Sequence, residues 1–330
     1  MSESTVSRVL NGGDTVIAIS EQTRQSVLVA ARELDYRPHP GARFLRGTGT
    51  GLIGLIVREA NDPFFAELIN VVAGEAQGRG YGVILGYANN DPAKALTLTD
   101  VLDPRLCDGL LLLGDLDESG QSDELAQHLQ RQNHVVMVSR GGGALLGTLP
   151  SVGVDNQAGG RLVLDYLAGL GHRQIGFIYA SRAGDFFERL KAYERHMEDC
   201  YGAVPPGYVQ MDENSHAGGY QAMRRALTLP TPPTAVWCAD DTMAVGAYAA
   251  AYDLKIDVPG QVSIAGFDDT KMAAYLRPAL TTVRQPLEEI GRQAVDLMLA
   301  QVAGKGQSDE HTHVFVEPQL VIRDSCRPPQ

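Results

Sequence analysis

A short segment near the amino end carries side chains that could contact nucleic acid. In residues 4–12 the apolar side chains recur at helical spacing and share one face: Val6, Val9 and Leu10. The other face carries Thr5, Ser7 and Arg8. Short hydroxyl groups beside an arginine, near the amino end of a helix, suit phosphate oxygens and base edges in the major groove. A plain amphipathic surface helix has the same pattern, so this segment alone leaves both interpretations open.

The following residues predict a second helix and a basic segment. Ser20 is a good N-cap, and an apolar stripe follows it before Arg37 and Pro38 end the run: Val27, Ala30, Ala31 and Leu34. Residues 40–46 are basic with apolar side chains between the charges, and the glycine-rich stretch 47–51 is flexible. Such a segment can fold on DNA.

Three strings in this region resemble the headpiece of the lactose-repressor/galactose-repressor family of bacterial transcription regulators. They are STVSRVLNG at 4–12, SEQTRQSVLVAARELDYRP at 20–38 and ARFLR at 42–46. The resemblance implies that the first string is the recognition helix of a helix-turn-helix, with DNA contacts from Ser4, Thr5, Ser7, Arg8 and Asn11. It implies that the last string is a hinge helix. There Leu45 wedges into the minor groove and kinks it, beside Arg43 and Arg46.

The headpiece departs from the family at its start. Relatives have a further helix before the turn, whereas this chain begins at Met1, already inside the turn. No preceding helix would then cover the apolar residues of the two predicted helices. We therefore expect a truncated headpiece that is poorly folded without DNA.

The charge is divided unevenly along the chain. The net charge is -12, yet residues 1–50 hold six arginines and five acidic residues. The acidic surplus therefore belongs to the remainder of the chain. An acidic body repels nonspecific DNA and leaves contact to a small basic element, although acidic surfaces also simply maintain solubility.

Composition indicates a globular protein of the cytoplasm. The hydrophobic share is 44%, and no segment is long and apolar enough to span a membrane. Met1 is not followed by an export leader, so we expect a cytoplasmic location. The four cysteines form no CxxC pair, which predicts reduced, buried thiols and no metal site: Cys107, Cys200, Cys238 and Cys326.

Beyond Gly51, short apolar runs alternate with longer amphipathic ones. The first group of predicted strands is 52–57, 83–87, 109–113, 135–139 and 151–154. The second group is 175–178, 208–211, 235–238, 263–267 and 280–283. The fold class is therefore α/β, with two doubly wound parallel-sheet lobes after a small all-α headpiece. Ligands of such sheets bind at the carboxyl ends of the strands, here in the cleft between the lobes.

Strings in this body resemble the same family and the periplasmic sugar-binding proteins that share its fold. They are NDPFFAEL at 61–68, VDNQAGGRLVLDYLAGLGHRQIGFI at 154–178, ADDTMAVGA at 239–247, VSIAGFDDT at 262–270 and LTTVRQP at 280–286. The resemblance implies three crossings between the lobes, with final strands near 314–316 and 320–322. The predicted domains are 1–50, the headpiece and hinge, and 51–330, the body. One lobe comprises 51–155 with about 286–315, and the other comprises 156–285 with about 316–330.

The resemblance also implies the residues that bind the effector. Phe64 and Phe65 would stack on the apolar face of a sugar ring. Trp237 and a ring of polar side chains would complete the site: Asp62, Arg140, Arg189, Asp240, Asp268 and Gln285. Relatives that bind ribose carry an acidic residue at the position of Ser139, and many carry Asn at the position of Asp240. We therefore expect a ligand other than ribose.

Structural roles are alternatives for several of these residues. Phe64 or Phe65 could belong to a lobe core, and Asp268 could cap the following helix. Asp155 is expected to cap a helix or to lie at a lobe crossing. His172, at a helix-to-strand junction with no second imidazole near it in sequence, is expected to be structural.

The sequence therefore predicts a homodimeric transcription regulator that binds operator DNA and a small-molecule effector, a sugar or a sugar derivative. Whether the effector releases or recruits DNA stays open. A solute-binding protein without DNA-binding activity is the alternative, but it would need an export signal and would not need the headpiece strings. We expect no enzyme, cofactor or metal, because GxSxG, P-loop and HExxH motifs do not occur. Residues 49–54 satisfy GxGxxG, but they lie before and inside a predicted strand rather than after one.

Overall fold

The computed structural model describes residues 2–11, 19–34, 36, 49–116, 123–132, 134–138, 149–304 and 313–330. In this part of the chain, two parallel sheets are each covered by helices on both faces. The first sheet contains, in order, the strands at 82–87, 52–57, 109–113, 135–138, 151–154 and 313–316, and the second contains those at 209–211, 175–179, 235–238 and 263–265. The predicted α/β fold with two doubly wound lobes is confirmed.

The first lobe is built on strands that read as short apolar runs. Its strands are β1 (Leu52–Val57), β2 (Gly82–Tyr87), β3 (Gly109–Leu113), β4 (Val135–Val138), β5 (Ser151–Val154) and β11 (His313–Val316). Its helices are α3 (Pro63–Gly78), α4 (Pro92–Val101), α5 (Asp123–Arg131) and α10 (Leu287–Val302). Alternate side chains of β1 enter opposite cores: Leu55 packs with α3 and α10, and Ile56 packs with α4 and α5.

The second lobe repeats this plan. Its strands are β6 (Ile175–Tyr179), β7 (Val209–Met211), β8 (Ala235–Cys238) and β9 (Ser263–Ala265). Its helices are α6 (Asn156–Gly169), α7 (Gly184–Tyr201), α8 (His216–Leu227) and α9 (Asp241–Asp253), and a 3-10 helix follows (Lys271–Ala274). Phe177 and Trp237 face α6 and α7, whereas Ile178 and Val236 face α8 and α9.

The last strands depart from the predicted all-parallel sheet. Segment 280–283 was expected to join the second parallel sheet, but β10 (Thr282–Arg284) pairs antiparallel with β12 (Gln319–Val321). Two isolated parallel bridges link the β10 segment to the end of β9: Ala265 with Thr281, and Asp268 with Arg284. The segment around β10 therefore lies beside the strand end that carries Asp268.

At the amino end, two helices pack against each other through their apolar faces. They are α1 (Glu3–Asn11) and α2 (Glu21–Glu33). Val9 and Val27 are buried, whereas Leu34 of the predicted stripe is 78% exposed. Ser20 caps α2 as predicted, because its hydroxyl accepts the Thr23 N–H at 3.2 Å.

Other predictions about single residues can be compared with the structure. Asp155 caps α6 by accepting the Ala158 N–H at 2.8 Å, as expected. His172 is buried and contacts the Thr234 hydroxyl at 2.9 Å and the Arg327 carbonyl at 2.9 Å, which confirms a structural role. The prediction of buried thiols is wrong for Cys200, which is exposed near the end of α7. In the described part of the chain, no helix has the length and apolar character needed to cross a bilayer.

Candidate functional site

A cavity lies between the lobes, at the carboxyl ends of strands from both sheets. Residues after β1 and β3 and at the start of α3 form its first wall: Arg58, Asp62, Phe64, Phe65, Gly114 and Asp115. Residues after β6 to β10 and at the start of α7 form the second: Ala183, Gly184, Asp185, Phe186, Arg189, Asn214, Asp240, Asp268 and Gln285. This is the edge at which doubly wound sheets bind ligands.

Arg189 is held rigidly in the second wall although it is almost fully buried. Its Nε donates to the side-chain oxygen of Asn156 at 2.8 Å, and its Nη1 donates to the Ala239 carbonyl at 2.5 Å. Its Cζ lies 3.6 Å from the centre of the Phe267 ring. Because these contacts fix the guanidinium plane, Arg189 can offer a directed, charge-assisted hydrogen bond to a ligand.

Asp268 is the anionic partner of this arginine. Its Oδ1 lies 3.7 Å from Arg189 Nη2 and accepts a hydrogen bond from Gln285 Nε2 at 2.7 Å. Burial raises the pKa of Asp268 well above its ordinary value, and Arg189 opposes that rise. The residue has φ of +112°, and it does not cap the 3-10 helix, whose N-cap is Thr270. The left-handed backbone directs its carboxylate toward the cleft, so the alternative role as a cap is wrong.

Two phenylalanines supply apolar surface from the first wall. Phe65 is buried in the core of the first lobe and also lines the cavity, so core and site roles coincide in one side chain. Arg58 lies over its ring, 5.2 Å from Cζ to the centroid. Phe64 is half-buried and packs edge to face on Phe65, with ring centroids 5.2 Å apart. Such faces suit the C–H surface of a sugar ring.

Asp62 and Asp240 bring carboxyl groups from opposite lobes. Asp62 caps α3 by accepting the Phe64 N–H at 2.8 Å, and Asp240 caps α9 by accepting the Met243 N–H at 2.7 Å. Burial, followed by the charge of Asp62, raises the pKa of Asp240 to about 7. Burial also raises the pKa of Asp62.

Most of the side chains predicted to bind the effector meet at this cavity. They are Asp62, Phe64, Phe65, Arg189, Asp240, Asp268 and Gln285. Trp237 does not: it is fully buried in the core of the second lobe, where its ring lies 4.7 Å from that of Phe177. Because the Trp237 side chain faces the helices that cover the sheet, it cannot reach the cavity at the end of the strand. The prediction for Trp237 is therefore wrong. Arg140 lies outside the described residues.

The predicted DNA-contacting residues fall partly within the described chain. Arg8 is exposed on α1 and Thr5 is half-buried, on the same helix as the buried Val9. The hinge residues Arg43, Leu45 and Arg46 lie outside the described residues, and so do the side chains of Ser4, Ser7 and Asn11.

Comparison with known proteins identifies the family. Residues 1–39 match the model of bacterial regulatory proteins of the lacI family, and residues 164–326 match that of the periplasmic binding protein-like domain. The chain is 33% identical over 331 aligned positions to the HTH-type transcriptional repressor PurR of Klebsiella pneumoniae, covering 98% of this chain and 93% of that protein. The PurR of Escherichia coli O139:H28 gives the same values. The chain belongs to the lacI family of bacterial regulatory proteins. As a member of the lacI family it is a DNA-binding transcription regulator controlled by an effector.

Solved structures of similar fold include two complexes. The transcriptional regulator CelR with cellobiose has a TM-score of 0.75 at 28% identity, covering 98% of this chain and 96% of that one. The lac repressor dimer bound to operator and the anti-inducer ONPF has a TM-score of 0.84, covering 98% and 95%. At 23% identity this second similarity concerns the fold alone.

Several residues that line the cavity of this lacI-family protein were not predicted from the sequence. Arg58 and Asp115 follow β1 and β3, so the rule that ligands bind at strand ends could have found them. Asn214 lies in the loop between β7 and α8, and no sequence pattern marks it. Asn156 lies outside the cavity lining but orients Arg189, a role visible only once the two helices are packed.

Proposed function

We propose that this regulator binds a sugar or sugar derivative in the cavity between its lobes and thereby changes its affinity for operator DNA. The observation that carries the proposal is the set formed by Arg189, Asp268 and Gln285, opposite the faces of Phe64 and Phe65. Charge-assisted donors and acceptors beside aromatic surface suit a polyol. The cellobiose bound in the CelR structure supports the same ligand class.

The DNA-contacting elements in this proposal are α1 and the hinge segment 40–46. Ser4, Thr5, Ser7, Arg8 and Asn11 would read the major groove, while Leu45, beside Arg43 and Arg46, would enter the minor groove. One short recognition helix offers few base contacts, so the protein would act in the cytoplasm as a homodimer on a roughly palindromic operator. The chain of the body would cross from one lobe to the other after residue 155, after residue 285 and after about residue 315.

The ligand would act through the equilibrium between open and closed lobe arrangements. A ligand shifts such an equilibrium only by its differential affinity for the two states. Side chains from both lobes line the cavity, so a bound sugar would contact both walls only when the lobes are closed. The site would bind its ligand without catalysis, and Arg140 would join it from beyond β4.

The test combines selection of a DNA site with a ligand screen. Selection from a random duplex library gives the operator, and a thermal-shift screen over sugars, sugar phosphates and nucleobases gives the effector. Failure to enrich any DNA sequence would contradict the regulator proposal. An operator that is enriched, together with a response to nucleobases but no sugar, would contradict the ligand class alone.

A further inference from the structure

The cavity between the lobes has a surplus of negative charge. Five of its lining residues are aspartates, and two are arginines, Arg58 and Arg189. The aspartates are Asp62, Asp115, Asp185, Asp240 and Asp268. With all groups ionised, the net charge of the described lining residues is -3. If Arg140 were added, the net charge would still be -2.

A second cavity adjoins the first and shares Phe64, Asp268 and Gln285 with it. It has the same sign of charge, since its further lining includes Glu67, Asp269, Glu288 and Arg284. Asp269 is already neutralised by Arg284 at 2.7 Å and Arg323 at 2.6 Å. Lys271 also lies 3.6 Å from Glu67, so basic side chains offset most of the negative charge of this second cavity.

Asp62 and Asp240 differ from the other described aspartates of this cavity in having neither a basic partner nor an amide partner. Asp268 contacts Arg189 and Gln285, and Asp185 accepts the amide N–H of Asn156 at 2.8 Å. For Asp62 and Asp240, no basic side chain of the described chain lies within the 4.0 Å of an ion pair. Each uses Oδ1 to accept a helix N–H.

These two carboxyl groups come from opposite lobes and repel each other when both are ionised. Asp240 is 3% exposed, so its carboxyl group is largely removed from bulk solvent. The side-chain oxygen of Asn214, on the same cavity wall, is also buried without a donor in the described chain. An unpaired buried acceptor is unfavourable, and an occupant with hydrogen-bond donors and positive charge would pair with this oxygen and offset the charge of the two carboxyl groups. An ammonium group is such an occupant, because it donates and cannot accept.

We infer that the effector of this protein is a polyhydroxylated molecule with a cationic nitrogen, an amino sugar in the simplest case, whose ammonium group lies between Asp62 and Asp240. The inference rests on the proposed function, in which this cavity holds the effector. The hydroxyl groups would bind Arg189, Asp268 and Gln285, and the ring would lie against Phe64 and Phe65. A neutral sugar would leave the two carboxyl groups without a counter-charge.

The first experiment measures binding of matched sugars by isothermal titration calorimetry on the full chain at about pH 7, where an ammonium is charged. Each set contains an amino sugar, the neutral sugar and the N-acetyl sugar. The first set is glucosamine, glucose and N-acetylglucosamine, and two further sets are based on galactose and on mannose. In at least one set, the amine should bind about tenfold or more tightly than the neutral sugar and the N-acetyl sugar, as expected for a charge-assisted hydrogen bond. The inference is wrong if the neutral sugar binds as tightly in every set, or if no amine binds.

The second experiment asks whether the two aspartates cause the preference. Asp62→Asn and Asp240→Asn keep an oxygen that can cap the helix, so each should fold, and each should lower the ratio of amine to neutral affinity about tenfold. Asp91→Asn is the matched control, because Asp91 caps α4 in the same way, through the Ala93 N–H at 2.9 Å, and does not line the cavity. A ratio that is unchanged in both cavity variants would overturn the assignment.

Operator binding is measured separately by fluorescence anisotropy on the selected DNA site. A protein that binds its operator and responds only to neutral sugars would refute the ammonium site and leave the regulator function intact. A protein that prefers amines but selects no DNA site would refute the regulator function instead.

Discussion

Arg189 combines three kinds of contact in one buried side chain. Two hydrogen bonds fix its plane, Phe267 covers one face, and Asp268 lies beside its remaining nitrogen. We expect Arg189→Lys to weaken effector binding at least about tenfold, because a lysine keeps the charge but lacks the planar fork. Calorimetry with the sugar found in the screen measures this. Arg195→Lys, an exposed position on the same helix, is the control, and equal affinity in both variants would remove Arg189 from the site.

The buried carboxyl group of Asp240 should make stability depend on pH. Its pKa is raised from 3.8 to about 7, so the folded state favours the protonated form. Ionisation therefore costs stability: the cost is absent below about pH 4, grows up to about pH 7 and is complete above that. Asp240→Asn removes the charge but keeps a cap oxygen, so it should stabilise the protein more at about pH 8 than at about pH 5, with a difference of at most about 3 kcal/mol. Thermal unfolding at both pH values tests this, and an equal difference at both would contradict it.

At the scale of elements, the turn after β3 positions an aromatic wall of the cavity. Gly114 has φ of +86°, and an added Cβ would lie 2.6 Å from Cζ of Phe65. Gly114→Ala should therefore displace Phe65 and weaken effector binding, besides destabilising the turn by about 1 to 2 kcal/mol. Gly80→Ala is the matched control, since Gly80 has φ of +83° and nothing within 4 Å of an added Cβ. It should lose similar stability and keep its ligand affinity. Equal affinities in the two variants would show that Phe65 does not shape the site.

A separate prediction at this scale concerns the hinge segment 40–46. If Leu45 wedges between base pairs, Leu45→Ala should lower operator affinity and reduce the bend of the DNA. Circular-permutation gel shift measures the bend, and calorimetry should show unchanged effector binding. Equal bending by the variant and the original protein would make the hinge assignment wrong.

The bounds of the strands could be predicted from the sequence more accurately than the contacts of the side chains. Buried parallel strands read as continuous apolar runs, and β1, β3, β5 and β8 have the predicted bounds. The antiparallel pairing of β10 with β12 was not predictable, because both strands are short and their pairing depends on the path of the chain between lobes. Trp237 was misplaced for another reason. Its position in the chain lies near Asp240, but the alternation of β8 directs its ring into the core.

At the scale of the whole molecule, the two lobes enclose a cavity to which each contributes one wall. The lobes also contact each other outside it, where Lys271 of the 3-10 helix lies 3.6 Å from Glu67 of α3. Both side chains are well exposed, so this ion pair contributes little stability. Inside the cavity, the carboxyl groups of Asp62 and Asp240 repel each other when both are ionised, which disfavours an empty closed state.

The central claim is that occupancy of this cavity controls DNA binding. The most direct measurement is fluorescence anisotropy of the selected operator with and without saturating effector, for the original protein and for Arg189→Lys at the same effector concentration. We expect the effector to change the operator Kd of the original protein at least about fivefold, in either direction, which is the lower end of typical allosteric coupling. The variant should change less, because the site is not filled. An effector that binds the cavity by calorimetry and leaves the operator Kd of the original protein unchanged would contradict the account.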